Sequence, residues 1–440
     1  MHSCRRLWLL VETLVLVAVS SAPGFAQTIR VVSDVAVDAN PKGRAVTETH
    51  IAVDPRNPDH VLAAAMIGPP PGGTTNEQYC ATFLTTDGAA HWTRHDFQMT
   101  GCYDPWVVFL SDGSALLSTL GHDRALAGDG DGMLVYRSVD GGITWGARPA
   151  GLSWGWDHPM TVVDRSGAKR GDWVYLVSSK DPKKDGNYVV AVSRSLDGGQ
   201  SFDSPRLIAP EGKVIRAETP VVLSNGTLVV PYVEILDHGV VAPRRRSFVV
   251  HSTNGIDFSK PTSVDDVCGP PPTVILSSLA VDASHGPFRD RLYFACVLPN
   301  RAGVAVTHSA NGGATWSRAM SAAGDPRIAG VSRSLMATAV SSDGVFTVAW
   351  LEHRVDSPPS CLDLYVSASF DGGDRFTRPT RVSTRSSCPN AKLNGPTVPY
   401  GDYFGMAPDS RGRIRVAWAD ARTGLFQLRT ALLAFDPPPR

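Results

Sequence analysis

Carboxylates stand at the head of short apolar runs along this chain. Glu48-Thr49-His50-Ile51, Asp104-Pro105-Trp106-Val107, Asp157-His158-Pro159-Met160, Glu218-Thr219-Pro220-Val221 and Asp402-Tyr403-Phe404-Gly405 each set an acid just before strand-forming residues. Ser278-Leu279-Ala280-Val281 and Ser334-Leu335-Met336-Ala337 are weaker openings of the same kind. Carboxyl groups brought together in a cleft can divide the work of acid and base, which is how most glycosidases act. Asp104 with Asp157 or Glu218 could form such a pair. A single strand-opening Asp often only caps a turn, so the reading rests on the set and on whether the fold makes it converge.

A second group of polar residues follows apolar strands. Trp350-Leu351-Glu352-His353-Arg354 and Trp418-Ala419-Asp420-Ala421-Arg422 share the form Trp-x-acid-x-Arg. Tyr232-Val233-Glu234 and Gly121-His122-Asp123-Arg124 occupy matching places. The competing reading of Glu352 with Arg354, and of Asp420 with Arg422, is an ion pair worth under about 1 kcal/mol.

The elements that must position these groups are announced by a repeat. Thr85-Thr86-Asp87-Gly88-Ala89-Ala90-His91-Trp92, Ser138-Val139-Asp140-Gly141-Gly142-Ile143-Thr144-Trp145 and Ser195-Leu196-Asp197-Gly198-Gly199-Gln200-Ser201-Phe202 are three copies. Ser309-Ala310-Asn311-Gly312-Gly313-Ala314-Thr315-Trp316 and Ser369-Phe370-Asp371-Gly372-Gly373-Asp374-Arg375-Phe376 are two more, and Ser252-Thr253-Asn254-Gly255-Ile256-Asp257-Phe258 is shortened by one residue. The copies start at 85, 138, 195, 252, 309 and 369, a fixed period that signals repeated supersecondary units. Asp or Asn caps its own turn, glycine takes the positive φ, and the aromatic packs back, so each copy reads as a hairpin turn whose aspartate stabilises rather than catalyses.

These repeats resemble the Asp-box, or bacterial neuraminidase repeat, of the sialidase superfamily, over nearly the whole chain. The resemblance implies an all-β fold, a β-propeller of four-stranded antiparallel blades with the Asp-box between the third and fourth strands. Seven strand openings face six boxes. The seventh unit runs out near Leu432-Leu433-Ala434-Phe435, and its missing outer strand is expected from Thr28-Ile29-Arg30-Val31-Val32, which removes an exposed sheet edge. Seven blades are therefore preferred over six, the count in sialidases proper, and residues 27–440 form one propeller domain closed by both termini. In such a blade the start of strand one and the end of strand two share the face away from the boxes. Glu48, Asp104, Asp157, His158, Glu218, Arg333, Asp402 and Tyr403 are thereby expected at one channel mouth, with Glu352, Arg354, Asp420 and Arg422 beside them.

The superfamily includes exo-sialidases, other glycosidases and polysaccharide lyases. The resemblance to sialidases implies three arginines clamping a substrate carboxylate, an Asp acid/base and a Tyr nucleophile assisted by Glu. The early Arg-Ile-Pro-like motif is missing here, where Ile51-Ala52-Val53-Asp54-Pro55-Arg56 stands, so Arg333, Arg354 and Arg422 become the candidate cations and Tyr403 or Tyr400 the tyrosine. The preferred reading is a glycosidase acting on a glycan or glycoconjugate. The alternatives are a polysaccharide lyase and a non-catalytic propeller like those of sorting receptors and photosystem assembly factors, with Trp154 and Trp156 as contact residues.

Composition bounds the rest. Gly 41 and Pro 33, about a sixth of 440 residues, exclude a helical bundle, and 42 basic against 42 acidic residues give no basic block for nucleic acid. Gly128-Asp129-Gly130-Asp131-Gly132 offers two carboxylates to calcium, but its spacing falls short of a calcium loop, so no metal or cofactor is expected. Met1 to Ala26, with Arg5-Arg6 before the apolar run Leu7–Val19, reads as a secretory signal peptide, the run being short for a membrane span. The protein is thus expected to be secreted or periplasmic. Six cysteines follow the signal, and Cys80–Cys102, Cys268–Cys296 and Cys361–Cys388 are the simplest disulfides.

Overall fold

The computed structural model describes residues 27–436, except 38–42, 98, 123–131, 147–149, 153–156, 168–171, 181–187, 209–213, 237–244, 265–276, 299–300, 325–329, 355–356, 359 and 395–399. The signal segment, the aspartates of the Gly128–Gly132 loop, and Trp154 and Trp156 lie outside these residues. Seven antiparallel sheets follow one another along the chain. Their inner strands are Val46–Asp54, Thr100–Phe109, Asp157–Asp164, Val214–Ala217 continued by Val221–Val222, Ser278–Val281, Val331–Val340 and Gly405–Pro408. The seven-bladed propeller is therefore the fold. Helix is confined to Ala391–Asn394 and a 3-10 turn at Thr75–Glu77, and among the described residues no helix is long and apolar enough to cross a membrane.

Blade 7 closes the ring as the sequence implied. Thr28–Ala36 pairs antiparallel with Gln427–Asp436, supplying the outer strand that the C-terminus lacks. The expected Cys80–Cys102 and Cys361–Cys388 disulfides form. Cys296 is also disulfide-bonded, and its expected partner Cys268 lies outside the described residues.

The middle strands do not alternate inward and outward residues, because both faces of a blade pack on neighbours. Every residue from Val61 to Ile67 is buried, as is every residue of Leu292–Val297. Such strands read as continuous apolar runs. Tyr293 of blade 5 stacks on Phe346 of blade 6 with ring centroids 4.3 Å apart, part of one core crossing the blade boundary.

The repeated turns join third to fourth strands in blades 1 to 6, and each closes on its own side chains. In blade 2, Ser138 Oγ accepts the Gly142 amide at 2.7 Å, while Asp140 Oδ1 accepts the Thr144 amide at 2.8 Å. Each turn also accepts a bond from the preceding blade. His60 Nε2 reaches Gly141 O at 2.9 Å, Arg137 Nε reaches Gly198 O at 3.1 Å, and Arg291 reaches Gly372 O at 2.6 Å. Arg194 reaches Asn254 O, His251 reaches Gly312 O, and Arg415 of blade 7 reaches Gly88 O across the closure. The turn is therefore a blade-to-blade staple as well as a hairpin. At Gly199, with φ +86°, an added Cβ would sit 2.7 Å from Leu116 of the preceding blade, so glycine serves both the turn and the close approach.

Candidate functional site

The inner strands are bulged where the acids stand. The register shifts between Thr47 and His50, between Tyr103 and Trp106, and between Asp157 and Met160. At these bulges Glu48, Asp104 and His158 adopt φ values of 48°, 52° and 52°. Left-handed backbone at a non-glycine residue costs on the order of 1–3 kcal/mol, and such strain gathers at functional sites. The bulges re-aim the side chains. Glu218 lies at the corresponding break in blade 4, between paired residues Ala217 and Val221. Hydroxyls on second strands cover the carbonyls set free: Thr119 Oγ1 donates to Tyr103 O and Ser178 Oγ to Asp157 O, both at 2.7 Å.

The re-aimed groups form a chain of contacts around the mouth. The Asp104 amide donates to Glu48 Oε2 at 3.0 Å, and the His158 amide donates to Asp104 Oδ2 at 3.2 Å. The imidazole of His158, 2% exposed, lies among three carboxylates. Nε2 is 3.0 Å from Asp402 Oδ2 and 3.7 Å from Asp104 Oδ1, while Nδ1 is 3.3 Å from Asp157 Oδ1. Arg216 of blade 4 pairs with the far oxygen of Asp157. Blades 1, 2, 3, 4 and 7 thus meet at one cluster.

Proton affinities in this cluster diverge. Burial, with Asp402 and Asp157 nearby, pushes Asp104 up to about 7 although His158 opposes the shift. Burial and the Asp104 and Asp402 charges raise Glu48 well above the carboxylate range. Asp157 moves the other way: burial works against it, but His158 and Arg216 hold it below its ordinary value. His158 loses solvation, yet Asp104, Asp157 and Asp402 together raise it well above an ordinary histidine. Glu218, 1% exposed, is pushed up to about 8 by burial despite Arg245 and His158. Among the described residues, Glu218 Oε2, Asp402 Oδ1 and His158 Nδ1 are buried without a hydrogen-bond partner.

Tyr403 is in the cluster, its ring edge-on to His158 with centroids 5.9 Å apart. Its hydroxyl donates to Pro105 O at 3.0 Å, and burial beside Asp104, Glu48 and Asp402 makes it much harder to ionise than an ordinary phenol. Tyr400, the other candidate, bonds Ser387 O at 3.0 Å instead. Asp104, His158 and Asp402 each offer one ligand atom within 4.8 Å of the others, a spacing that could hold a metal ion.

The remaining candidates are placed differently. Arg333 is buried against Glu352 Oε2 at 3.1 Å and also donates to the carbonyls of Ala302 and Ala323 in blade 5. Arg354 holds the other Glu352 oxygen at 3.0 Å, and Trp350 Nε1 donates to Oε2 at 3.1 Å. Trp418, Asp420 and Arg422 repeat this unit in blade 7, where Arg422 also reaches Asp34 of the closing strand at 2.9 Å. Of the three arginines expected at the mouth, Arg333 and Arg422 join strands and blades, while Arg354 pairs with Glu352 of its own strand.

Sequence reasoning missed Arg216, Arg245, His50 and Trp106. Trp106 stacks on His50 at 3.7 Å, and burial lowers His50 to about 3, so that ring is neutral and its Nδ1 accepts the Val107 amide. Arg216 stands two residues before Glu218, a spacing that would have flagged it had the blade 4 break been foreseen.

This architecture is shared with solved structures. A GH93 alpha-L-arabinofuranosidase of Fusarium graminearum in complex with arabinobiose aligns with TM-score 0.51 at 11% identity, over 91% of this chain and 97% of that one. A protein of unknown function from Dyadobacter fermentans aligns with TM-score 0.50 at 13% identity, over 92% and 98%. The similarity is one of fold. A Hadza microbial sialidase matches with TM-score 0.46 at 14% identity, over 83% of this chain and 74% of that one. No protein-family model and no curated protein matches the chain.

Proposed function

We propose that this chain is a secreted glycoside hydrolase working at the mouth opposite the repeated turns. The observation that carries the reading is a pair of carboxyl groups on one imidazole whose proton affinities are driven apart, Asp104 up to about 7 and Asp157 down. Opposed shifts of this kind separate acid from base. Asp104, protonated near neutral pH, delivers its proton to the glycosidic oxygen. Asp157, kept ionised by His158 and Arg216, acts at the anomeric carbon, directly or through water. The fold shared with the arabinofuranosidase supports a glycan as substrate, and the disulfides suit an oxidising compartment.

The test is a panel of aryl glycosides including α-L-arabinofuranosides, sialosides and uronate polysaccharides. Turnover is expected to fall as pH rises through about 7, where Asp104 loses its proton. Asp104→Asn should lower kcat/KM by about 10²–10⁴-fold. Silence across the panel with saturable binding of a protein or glycan would favour the non-catalytic reading, and an active Asp104→Asn variant would remove Asp104 from the mechanism.

A further inference from the structure

The seam between blade 7 and blade 1 holds buried polar groups far from the acids of the mouth. Arg415 stands on the second strand of blade 7, Ile414–Asp420, and is 1% exposed. Like the other staples it donates to a turn carbonyl of the next blade, here Gly88 O at 2.9 Å. Arg137 and Arg194 also spread their forks over side chains. Arg137 binds Ser114 Oγ at 3.3 Å, and Arg194 binds Asp203 through Nε at 2.9 Å and Nη2 at 2.7 Å. Arg415 does not: among the described residues its Nε and Nη1 are buried without a hydrogen-bond partner.

Two further unpartnered groups accompany it. Thr430 pairs with Ala417, two residues on from Arg415, so the Arg415 and Thr430 side chains emerge on one face of the sheet. That face packs on blade 1, where Ala417 and Leu428 share a core with Ile51 and Val61. Thr430 is fully buried, and its Oγ1 has no partner among the described residues. Arg413, whose charge acts on Arg415, likewise leaves Nη2 buried and unpartnered. The carboxylates acting on Arg415 are Asp409 and Asp59, and both serve other arginines. Asp409 Oδ2 accepts Arg413 Nε at 2.7 Å, and the two Asp59 oxygens accept Arg411 at 2.8 Å each. Burial, and then the Arg413 charge, weakens the hold of Arg415 on its proton.

A guanidinium only donates, and a threonine hydroxyl can donate as well. A buried cation without a counter-charge is costly. The ligand that answers both conditions accepts several hydrogen bonds, carries negative charge and is small enough for a seam between two sheets. We propose that Arg415, Arg413 and Thr430 form a buried site for one small monovalent anion of the chloride class, which clasps blade 7 to blade 1 on the face opposite the mouth.

The test uses the full chain and no glycan, so its failure and that of the hydrolase reading are separate results. At fixed ionic strength, with bulky gluconate exchanged for chloride over roughly 1 to 100 mM, the Tm of the parent should rise by a few degrees, as for a ligand that binds only the folded state. Arg415→Met should abolish the rise. Thr430→Val keeps the side-chain shape and the Arg415–Gly88 bond, and the rise should begin at about tenfold higher chloride, the loss of one hydrogen bond to a charge. In crystals soaked with bromide, one anomalous peak should lie within hydrogen-bonding distance of Arg415 Nε and Nη1. An equal rise in the parent and Thr430→Val would overturn the site, because a bulk salt effect acts on both alike. Water instead of bromide on the Arg415 fork would also overturn it, and this arm decides even where Arg415→Met fails to fold.

Discussion

Two buried acid–base clusters in this propeller use nearly the same residue types and come to opposite states. In blades 6 and 7, Glu352 and Asp420 each receive a tryptophan N–H and guanidinium hydrogen bonds. Every contact is local or crosses one blade boundary, and the strands carry no left-handed acid. At the mouth, among the described residues, carboxylates outnumber cations, two acid oxygens are left without partners, and two acids and a histidine stand at φ near 50°. A satisfied cluster stabilises the fold. An unsatisfied one, held by a scaffold that over-determines it, keeps proton affinities shifted and available for chemistry.

The sharpest way to break the comparison outside the mouth is to remove a cation from the satisfied cluster. Arg422 lies between Asp420 and Asp34, binding Asp420 with Nε and Nη2 and Asp34 with Nη1, all at 2.9 Å. Arg422→Ala leaves Asp420 buried with the Trp418 indole and the backbone amide of residue 422 as donors but no cation from the cluster. Stability should fall by about 3–5 kcal/mol, read from the denaturant midpoint, because an uncompensated buried charge remains. Activity per folded molecule should not change. A loss of turnover without a loss of stability would place Arg422 in the mouth after all.

Stripping the charge from an unsatisfied acid should act with the opposite sign. The Glu218 carboxyl binds its proton more tightly in the folded chain than its ordinary value of 4.5, with affinity up to about 8. Protonation therefore favours the fold fully below about pH 4.5, and that contribution is lost as pH climbs through 8. Glu218→Gln has no such dependence. Its Tm relative to the parent should rise by several degrees between those limits and stay flat below them, in thermal melts across pH. A difference independent of pH would mean that the buried carboxyl is already paired in both forms.

The ring itself was legible because it is written in local chemistry. Strand openings, hairpin turns and the missing last strand are each set by adjacent residues, and counting them gave seven blades with the N-terminal closure. The acids of the mouth were legible for the same reason, since their place at the head of an inner strand fixes the face on which they emerge. The arginines were not. Arg333 and Arg422 share that face by strand order, but each is drawn to an acid on its own or the adjoining strand. Arg216 meets Asp157 only because blades 3 and 4 adjoin, a relation that neither motif nor spacing records. The bulges were also unreadable, because Glu48, Asp104 and His158 are not residues that announce a left-handed backbone. The carbonyls they free are covered by hydroxyls from second strands, beyond the reach of a local pattern.

The smallest effect separates the two guanidiniums of blade 6. Arg354 is 43% exposed in its side chain, while Arg333 is buried and binds the same acid together with two blade 5 carbonyls. Removing Arg354 exposes one Glu352 oxygen to solvent and leaves the other with Arg333 and Trp350. Arg354→Ala should therefore lower stability by less than about 1 kcal/mol, with the difference shrinking in high salt as expected for a solvent-facing pair. A loss several times larger would show that Glu352 depends on both cations, and the blade 6 unit would then belong with the strained mouth rather than with the satisfied blade 7 cluster.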